Sequence, residues 1–304
     1  MNTNLNFNES KKNCNDEFYT RIEDVQAELD HYAESLRGTR VYCNADSSNS
    51  AFTRYLSHNF HQIGLERLDA TSMTPGGRGT HITIDARGTR VRRLEGDGDF
   101  RSDECVKLAH DADILITNPP FSLFRDYATL LECLNTDFLV IGNLNAVSYA
   151  EFYPLLLSGR AHLGITRPTI FNTPDGQTAH LSTLTRWFTT LPHDHGAPPM
   201  MLTCQYTPDK YPRYDYYDAI EVGRVTRIPA GYAGAMGVPI TFLDKHNPDQ
   251  FDLLDARVLG MGERQRTKKT MLIKDEDTSV GGTYHYARVA IRRTGEMSVS
   301  AAKD

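Results

Sequence analysis

Over roughly the first 190 residues, short apolar runs alternate with stretches whose apolar residues recur at helical spacing. The run Ile114-Leu115-Ile116 is unbroken by polar residues and reads as a buried parallel strand. Similar runs predict strands over 39–44, 65–71, 137–143, 161–165 and 184–191, and a hairpin over 81–85 and 89–94. Between them, Ile22, Val25, Leu29, Tyr32 and Leu36 share one helical face, which predicts a helix over 22–36. Further helices are predicted from residue 51, over 122–134 and over 151–157. Strands alternating with helices predict an α/β fold with a mostly parallel, doubly wound sheet. Residues 1–15 read as a loosely attached tail. Beyond the Pro-, His- and Gly-rich stretch 192–199 the alternation stops, and the rest reads as an α+β region. The predicted domains are 14–192 and 193–304.

The run 114–116 leads through Thr117 into Asn118-Pro119-Pro120-Phe121. Two successive prolines remove two backbone donors, so the strand must stop there. An amide and an aromatic ring are thereby held on a stiff elbow at a strand's carboxyl end, where open α/β sheets bind ligands. The elbow suits transfer to an exocyclic amine. The Asn118 side-chain carbonyl and the Pro119 main-chain carbonyl can accept both amine hydrogens, and the prolines keep these acceptors rigid. Phe121 can stack on a base rotated out of a duplex. The plainer alternative is a strand-ending turn with a core phenylalanine.

Composition narrows the partners. The chain has 304 residues, 39% of them hydrophobic, and a net charge of −6. Residues 193–304 carry 15 Lys+Arg and 15 Asp+Glu, and the preceding 192 carry 18 and 24, so the whole acidic excess lies in the first part. Any contact with nucleic acid must come from local basic patches. The strongest is Arg264-Gln265-Arg266-Thr267-Lys268-Lys269. Arg213 lies among Tyr206, Tyr211, Tyr214, Tyr216 and Tyr217, which suit base stacking and equally suit a half-buried face. Arg87, Arg90, Arg92 and Arg93 on the hairpin could face DNA or be a solvated edge. Five scattered cysteines without a CxxC pair predict free thiols and no zinc site. His193 and His195 could share a metal, but a loop is the preferred reading, and no metal is expected. No apolar run has the length of a membrane span, and a cytoplasmic protein is expected.

Six stretches carry a resemblance. They are Asp16-Glu17-Phe18-Tyr19-Thr20, Val41-Tyr42-Cys43-Asn44, Gly96-Asp97-Gly98-Asp99-Phe100-Arg101-Ser102, Thr117-Asn118-Pro119-Pro120-Phe121-Ser122-Leu123-Phe124-Arg125, Tyr211-Pro212-Arg213-Tyr214-Asp215 and Met236-Gly237-Val238-Pro239-Ile240-Thr241-Phe242-Leu243. Together they resemble the adenine-N6 DNA methyltransferases, most closely the EcoRI-type modification methylases. The elbow alone is shared with release-factor glutamine methylases and some RNA methylases. The stretches at 96–102 and 236–243 are more specific.

The resemblance implies a class I methyltransferase fold, S-adenosyl-L-methionine as cofactor and double-stranded DNA as substrate. Asn118, Pro119, Pro120 and Phe121 are then catalytic. Tyr19 and Thr20 line the methionine end of the cofactor, near Cys43 and Asp46. Asp99 accepts from the cofactor's adenine amine, and Phe100 packs on that ring. Thr20 followed by Glu23 also fits a helix capping box, and Asp46 also fits a cap on the next helix. The loop after Asn44 has small polar residues in place of the glycine-rich loop usual in methylases. Asp69, near the end of the second strand, is the local candidate for ribose hydroxyls. Arg213, Arg264, Arg266, Lys268 and Lys269 are the candidate DNA contacts, and action as a monomer is expected. Two other readings stay open: a methylase acting on RNA or protein glutamine, and a DNA-binding protein that has lost cofactor binding.

Overall fold

A computed structural model describes residues 19–44, 50–168, 170–172, 178–180, 183–193, 197–274, 278–283 and 286–294. The chain divides into two compact units, one formed by Met1–Asn143 and Arg160–His193, the other by Leu144–Gly159 and Asp194–Asp304. The third and last crossing between units falls between His193 and Asp194. The excursion at Leu144–Gly159 left no mark that the sequence pattern could show.

The first unit begins with strand β1 (Tyr19–Thr20) and helix α1 (Ile22–Leu29), followed by a 3-10 turn and the helical turn Ala33–Leu36. The predicted helix over 22–36 is therefore present but interrupted. Its cap is Arg21, with no side-chain capping bond, so the capping box at Thr20 does not form; Thr20 is paired in a strand instead. The succession then runs β2 (Arg40–Cys43), α2 (Ala51–His58), β3 (Arg67–Ser72), β4 (Thr80–Asp85), β5 (Gly88–Arg93), α3 (Asp103–Asp111), β6 (Ile114–Thr117), α4 (Phe124–Leu134) and β7 (Asp137–Asn143). It closes with β8 (His162–Leu163), β9 (Ile170–Asn172), β10 (Thr178–His180) and β11 (Thr185–Thr189). The cap of α2 is Ser50, which accepts from Thr53 N at 3.1 Å, so the cap is not Asp46. Asp46 lies outside the described residues.

An eight-stranded sheet has the order β5-β4-β3-β2-β6-β7-β11-β8. Strands β3, β2, β6 and β7 are mutually parallel, while β4 and β11 run against them. The chain moves from β2 outward to β3, β4 and β5, then returns to lay β6 on the other side of β2. That reversal creates a switch point at the carboxyl ends of β2 and β6.

Alternation along the strands fills both faces. Val41, Cys43, Leu68, Ala70, Ile114, Ile116, Leu139 and Ile141 pack with Val25, Leu29, Phe52 and Leu56 of α1 and α2. On the other face Tyr42 meets Cys105 of α3, and Phe124 of α4 lies against Phe188 with ring centroids 6.1 Å apart. At the amino ends of the strands the charges pair among themselves. Arg40 binds Asp113 at 2.7 Å and Asp111 at 3.1 Å, and Arg67 binds Asp69 at 2.6 Å.

The second unit contains a smaller sheet, β12 (Ile220–Glu221), β13 (Met236–Pro239), β14 (Phe251–Leu254) and β15 (Arg288–Arg293), in the order β12-β13-β15-β14. Helices α5 (Tyr153–Leu157) and α6 (Glu263–Arg266) and several 3-10 turns join it, so α+β describes it well. Its core includes Tyr214, Tyr217, Ala219, Ala235, Ala256, Leu259, Ile273 and Ala290. Glu221 and Arg288 form a buried pair at 2.7 Å, and the Tyr214 hydroxyl also donates to Glu221. Gly237 lies between those strands because a Cβ there would collide with the Tyr214 ring.

Candidate active site

Strand β6 is buried at every position and ends at the elbow. Pro119 is buried, while Asn118, Pro120 and Phe121 are half-buried. Pro120 is extended (φ −54°, ψ 126°), and its carbonyl accepts from Leu123 N at 2.9 Å, which closes a 3-10 turn over Phe121–Leu123. The proline ring fixes that φ, so the turn begins from a conformation already limited by covalent geometry. Helix α4 follows directly. Phe121 packs against the core without being enclosed by it.

The end of β2 sits beside this elbow. Asn44 has no exposed surface. Its main-chain carbonyl accepts from Thr117 Oγ1 at 2.8 Å, and its Oδ1 accepts from the Tyr127 hydroxyl at 2.6 Å. Tyr127 belongs to α4 and is itself fully buried. Thr117 of β6, Tyr127 of α4 and Asn44, the residue after β2, are therefore tied together immediately before Asn118. Asn44 Nδ2 is buried and has no partner among the described residues; the same holds for Thr20 Oγ1.

The Gly96-Asp97-Gly98-Asp99 stretch wraps back onto the end of β3. Gly98 has φ +91°, and a Cβ there would lie 2.5 Å from the Ser72 carbonyl, so the loop admits only glycine without rearrangement. Asp99 is three-quarters withdrawn from solvent, and Arg101 holds both its oxygens, at 3.0 and 2.7 Å. These bonds from Arg101 keep the Asp99 carboxyl below its usual range. Arg101 also reaches Asp126 of α4 at 2.9 Å. Phe100 is buried and meets the Tyr127 ring edge-on at 5.2 Å.

Asp69 is not placed for ribose. It lies mid-strand, 5% exposed, and its carboxylate is taken by Arg67, by His81 at 2.7 Å and by Thr83 at 2.8 Å. Burial raises its pKa, but these bonds outweigh burial and hold it low. Tyr19 is half-exposed and Thr20 buried on β1, paired with β9, and Cys43 is buried at the end of β2. His193 meets His162 ring to ring at 4.5 Å, and its Nε2 bonds the Leu163 carbonyl at 3.1 Å. His195 lies outside the described residues. Cys43, Cys105, Cys133 and Cys204 are free thiols.

In the second unit Arg264, Arg266 and Lys269 are exposed on or just after α6, and Lys268 is half-buried. Arg266 Nε donates to the Gly260 carbonyl at 3.2 Å. Arg213 is exposed but paired with Asp218 at 2.6 Å. The tyrosine-rich segment divides. Tyr211, Tyr214 and Tyr217 are buried, and only Tyr216 is well exposed, so most of these rings are core. On the hairpin, Arg90 pairs with Asp85 and Arg92 with Glu104, which fits a solvated edge.

A mostly parallel, doubly wound sheet with an Asn-Pro-Pro-Phe elbow at its switch point is a class I methyltransferase fold. Sequence comparison agrees. The chain matches the family described as "Adenine-specific methyltransferase EcoRI" over residues 6–86 and 78–294, and it belongs to that family. It is 33% identical to the Type II methyltransferase M.EcoRI of Escherichia coli over 328 residues, 95% of this chain and 97% of the relative. It is 32% identical to the Type II methyltransferase M.MgeORF184P of Mycoplasma genitalium and 33% identical to M.MpnI of Mycoplasma pneumoniae, each over 94% of this chain and 98% of the relative. No solved structure matches the chain. The protein is a DNA methyltransferase of the restriction-modification type and requires a methyl donor. Among the described residues no helix is long and apolar enough to cross a membrane.

Sequence reasoning did not single out the bond between Asn44 and Tyr127, or Arg101 as the partner of Asp99. Asn44 stood as the last residue of a predicted strand. Tyr127 read as one more apolar position on a helix. Arg101 was quoted within a motif, yet nothing in its spacing shows that it folds back onto Asp99.

Proposed function

We propose that the protein transfers a methyl group from S-adenosyl-L-methionine to N6 of an adenine rotated out of a specific duplex DNA sequence, acting as a cytoplasmic monomer. The observation that carries this reading is the elbow at the carboxyl end of β6, one strand from the end of β2. The residues present suit the cofactor. Asn44 Nδ2 and Thr20 Oγ1 are buried polar atoms in need of partners, and Asp99 is a carboxylate kept ionised. Tyr19, Thr20, Cys43 and Asp46 would hold its amino-acid end, and Asp99 and Phe100 its adenine. Bound there, the cofactor supplies an electrophilic methyl on sulfur.

The chain's own task is to prepare the amine. The N6 lone pair is delocalised into the purine ring and is a poor nucleophile. Asn118 Oδ1 and the Pro119 carbonyl accept the two N6 hydrogens and favour a tetrahedral nitrogen, whose lone pair can attack. Pro119 and Pro120 keep both acceptors in place, so no reorganisation is needed as charge develops. Phe121 stacks on the extruded base. Arg264, Arg266, Lys268, Lys269 and Arg213 contact the duplex within the recognition region 193–304. Phosphate contacts of this kind position the protein and carry no sequence choice. Transfer of labelled methyl from S-adenosyl-L-methionine, offered duplex DNA, RNA and protein in parallel, tests the reading. Label should enter duplex DNA alone; label in RNA or protein would overturn it.

A further inference from the structure

We infer that Arg78 and Arg93 form a phosphate clamp on the first unit, at the outer end of the large sheet, which grips the backbone of duplex DNA to one side of the target base. The inference rests on the proposed reading that the elbow receives a base from duplex DNA, and it adds a contact outside the region 193–304.

The sheet brings the two residues to the elbow's edge. β4 runs against β3, and β5 runs against β4, so β5 is parallel to β3, β2 and β6. Its last residue, Arg93, therefore lies at the carboxyl edge, and Arg78 lies in the turn that joins β3 to β4 there. That turn is fixed. Gly76 has φ +71°, Thr74 N donates to the Asp97 carbonyl at 2.8 Å, and Gly79 N donates to the Gly96 carbonyl at 2.9 Å. The two arginines interlock across it. Arg78 Nε donates to the Leu94 carbonyl at 2.5 Å, and Arg93 Nη1 donates to the Arg78 carbonyl at 3.2 Å and to Thr80 Oγ1 at 3.1 Å. Both are exposed, and among the described residues neither forms an ion pair. Their neighbours do: Arg90 with Asp85, Arg92 with Glu104 and Arg101 with Asp99. Glu95 is exposed in the same segment and pairs with neither. Two cations fastened side by side by main-chain bonds, without a carboxylate, suit an anion. The bonds named occupy one nitrogen of each guanidinium and leave the others to donate to phosphate oxygens. S-adenosyl-L-methionine carries no phosphate, so the anion belongs to the substrate. β5 is four strands from β6, about 19 Å at about 4.8 Å per strand. At about 3.4 Å per nucleotide along one strand, this is roughly six nucleotides from the target base.

The test is binding of a fluorescent duplex containing the sequence that wild type methylates, read by anisotropy over a range of salt. In the double variant Arg78→Gln, Arg93→Gln the slope of log affinity against log salt should fall by up to ~1.8, about 0.9 for each phosphate released. Affinity for S-adenosylhomocysteine should not change. The duplex is then made with a single neutral methylphosphonate at successive positions. Wild type should lose about fivefold in affinity at one or two positions roughly six nucleotides from the target adenine. The double variant should lose less than about twofold at those positions, because the contact is already gone. An unaltered salt slope, or the same methylphosphonate profile in both proteins, would make the pair a solvated edge of the sheet. A lowered Tm with an unaltered slope would make it a brace for the turn. If the double variant does not fold, Arg93→Gln, which keeps the bond from Arg78 to Leu94, decides by the same two readouts. Wild type that binds no duplex DNA would overturn the proposed function and this inference with it, whereas loss of the clamp alone leaves that function standing.

Discussion

In the first unit the buried side chains Asn44, Thr117 and Tyr127 meet at the carboxyl ends of β2 and β6, whereas in the second Glu221, Arg288 and Tyr214 meet across β13. The first cluster is neutral and leaves a donor without a partner among the described residues. The second is charged, and Arg288 spends three bonds on one carboxylate. The contrast sets a neutral cluster at the end of a large sheet against a charged one that holds a small sheet together. A large parallel sheet gains its stability from apolar faces and can keep its polar atoms for chemistry at one edge. A four-stranded sheet has less to bury and ties its strands with an ion pair.

The largest effect should come from breaking that pair. Arg288→Met leaves Glu221 buried without its cation and should cost about 3–5 kcal/mol of stability, measured by urea unfolding. A loss below ~1 kcal/mol would show that Glu221 is relieved by water or protonation, and the contrast between the units would blur. On the other side, Asn118→Ala should leave folding intact and lower kcat about a hundred- to a thousandfold, as removal of one preorganised group does. The loss should fall on kcat, with cofactor affinity little changed. Turnover within threefold of wild type would remove Asn118 from the reaction. Asp99→Ala should weaken S-adenosylhomocysteine about ten- to a hundredfold, the worth of a bond to a carboxylate, while binding of specific DNA persists. Unchanged cofactor affinity in the folded variant would leave Asp99 only its ion pair with Arg101.

The smallest effect is expected at the surface of the second unit. Replacing Arg266, Lys268 and Lys269 with Gln should flatten the slope of log affinity against log salt by up to ~2.7, about 0.9 for each phosphate contact. All sequences should weaken alike, and the preferred site should stay preferred. An unaltered slope would mark α6 as a solvated surface, and a changed preference would show that these residues read bases.

The two units were also unequally legible. The parallel strands and the elbow could be read because continuous apolar runs and double prolines restrict the backbone by themselves. The break in the helix after Leu29 and the crossing of Leu144–Gly159 into the second unit were not, since both depend on partners distant in sequence. Asp69 shows the same limit. Its place near a strand end suggested ribose, but His81 and Thr83 on the neighbouring antiparallel strand claim it. In the second unit, the specific stretch from Met236 onward is a buried strand over Met236–Pro239 that runs into a 3-10 turn, with Gly237 making room for Tyr214. Tyrosines interleaved with Arg and Lys suggested base stacking. Burial of Tyr211, Tyr214 and Tyr217 shows why aromatic composition could not distinguish a binding face from a core.

If the elbow methylates an exocyclic amine of adenine as proposed, Asn118 is required. It is tested most directly by expressing wild type and Asn118→Ala in a host without methylated DNA, digesting the recovered DNA to nucleosides and identifying the modified base by mass spectrometry. N6-methyldeoxyadenosine is expected from wild type and none above background from the variant. N4-methyldeoxycytidine in its place, or an equal yield of methyladenine from the variant, would contradict it.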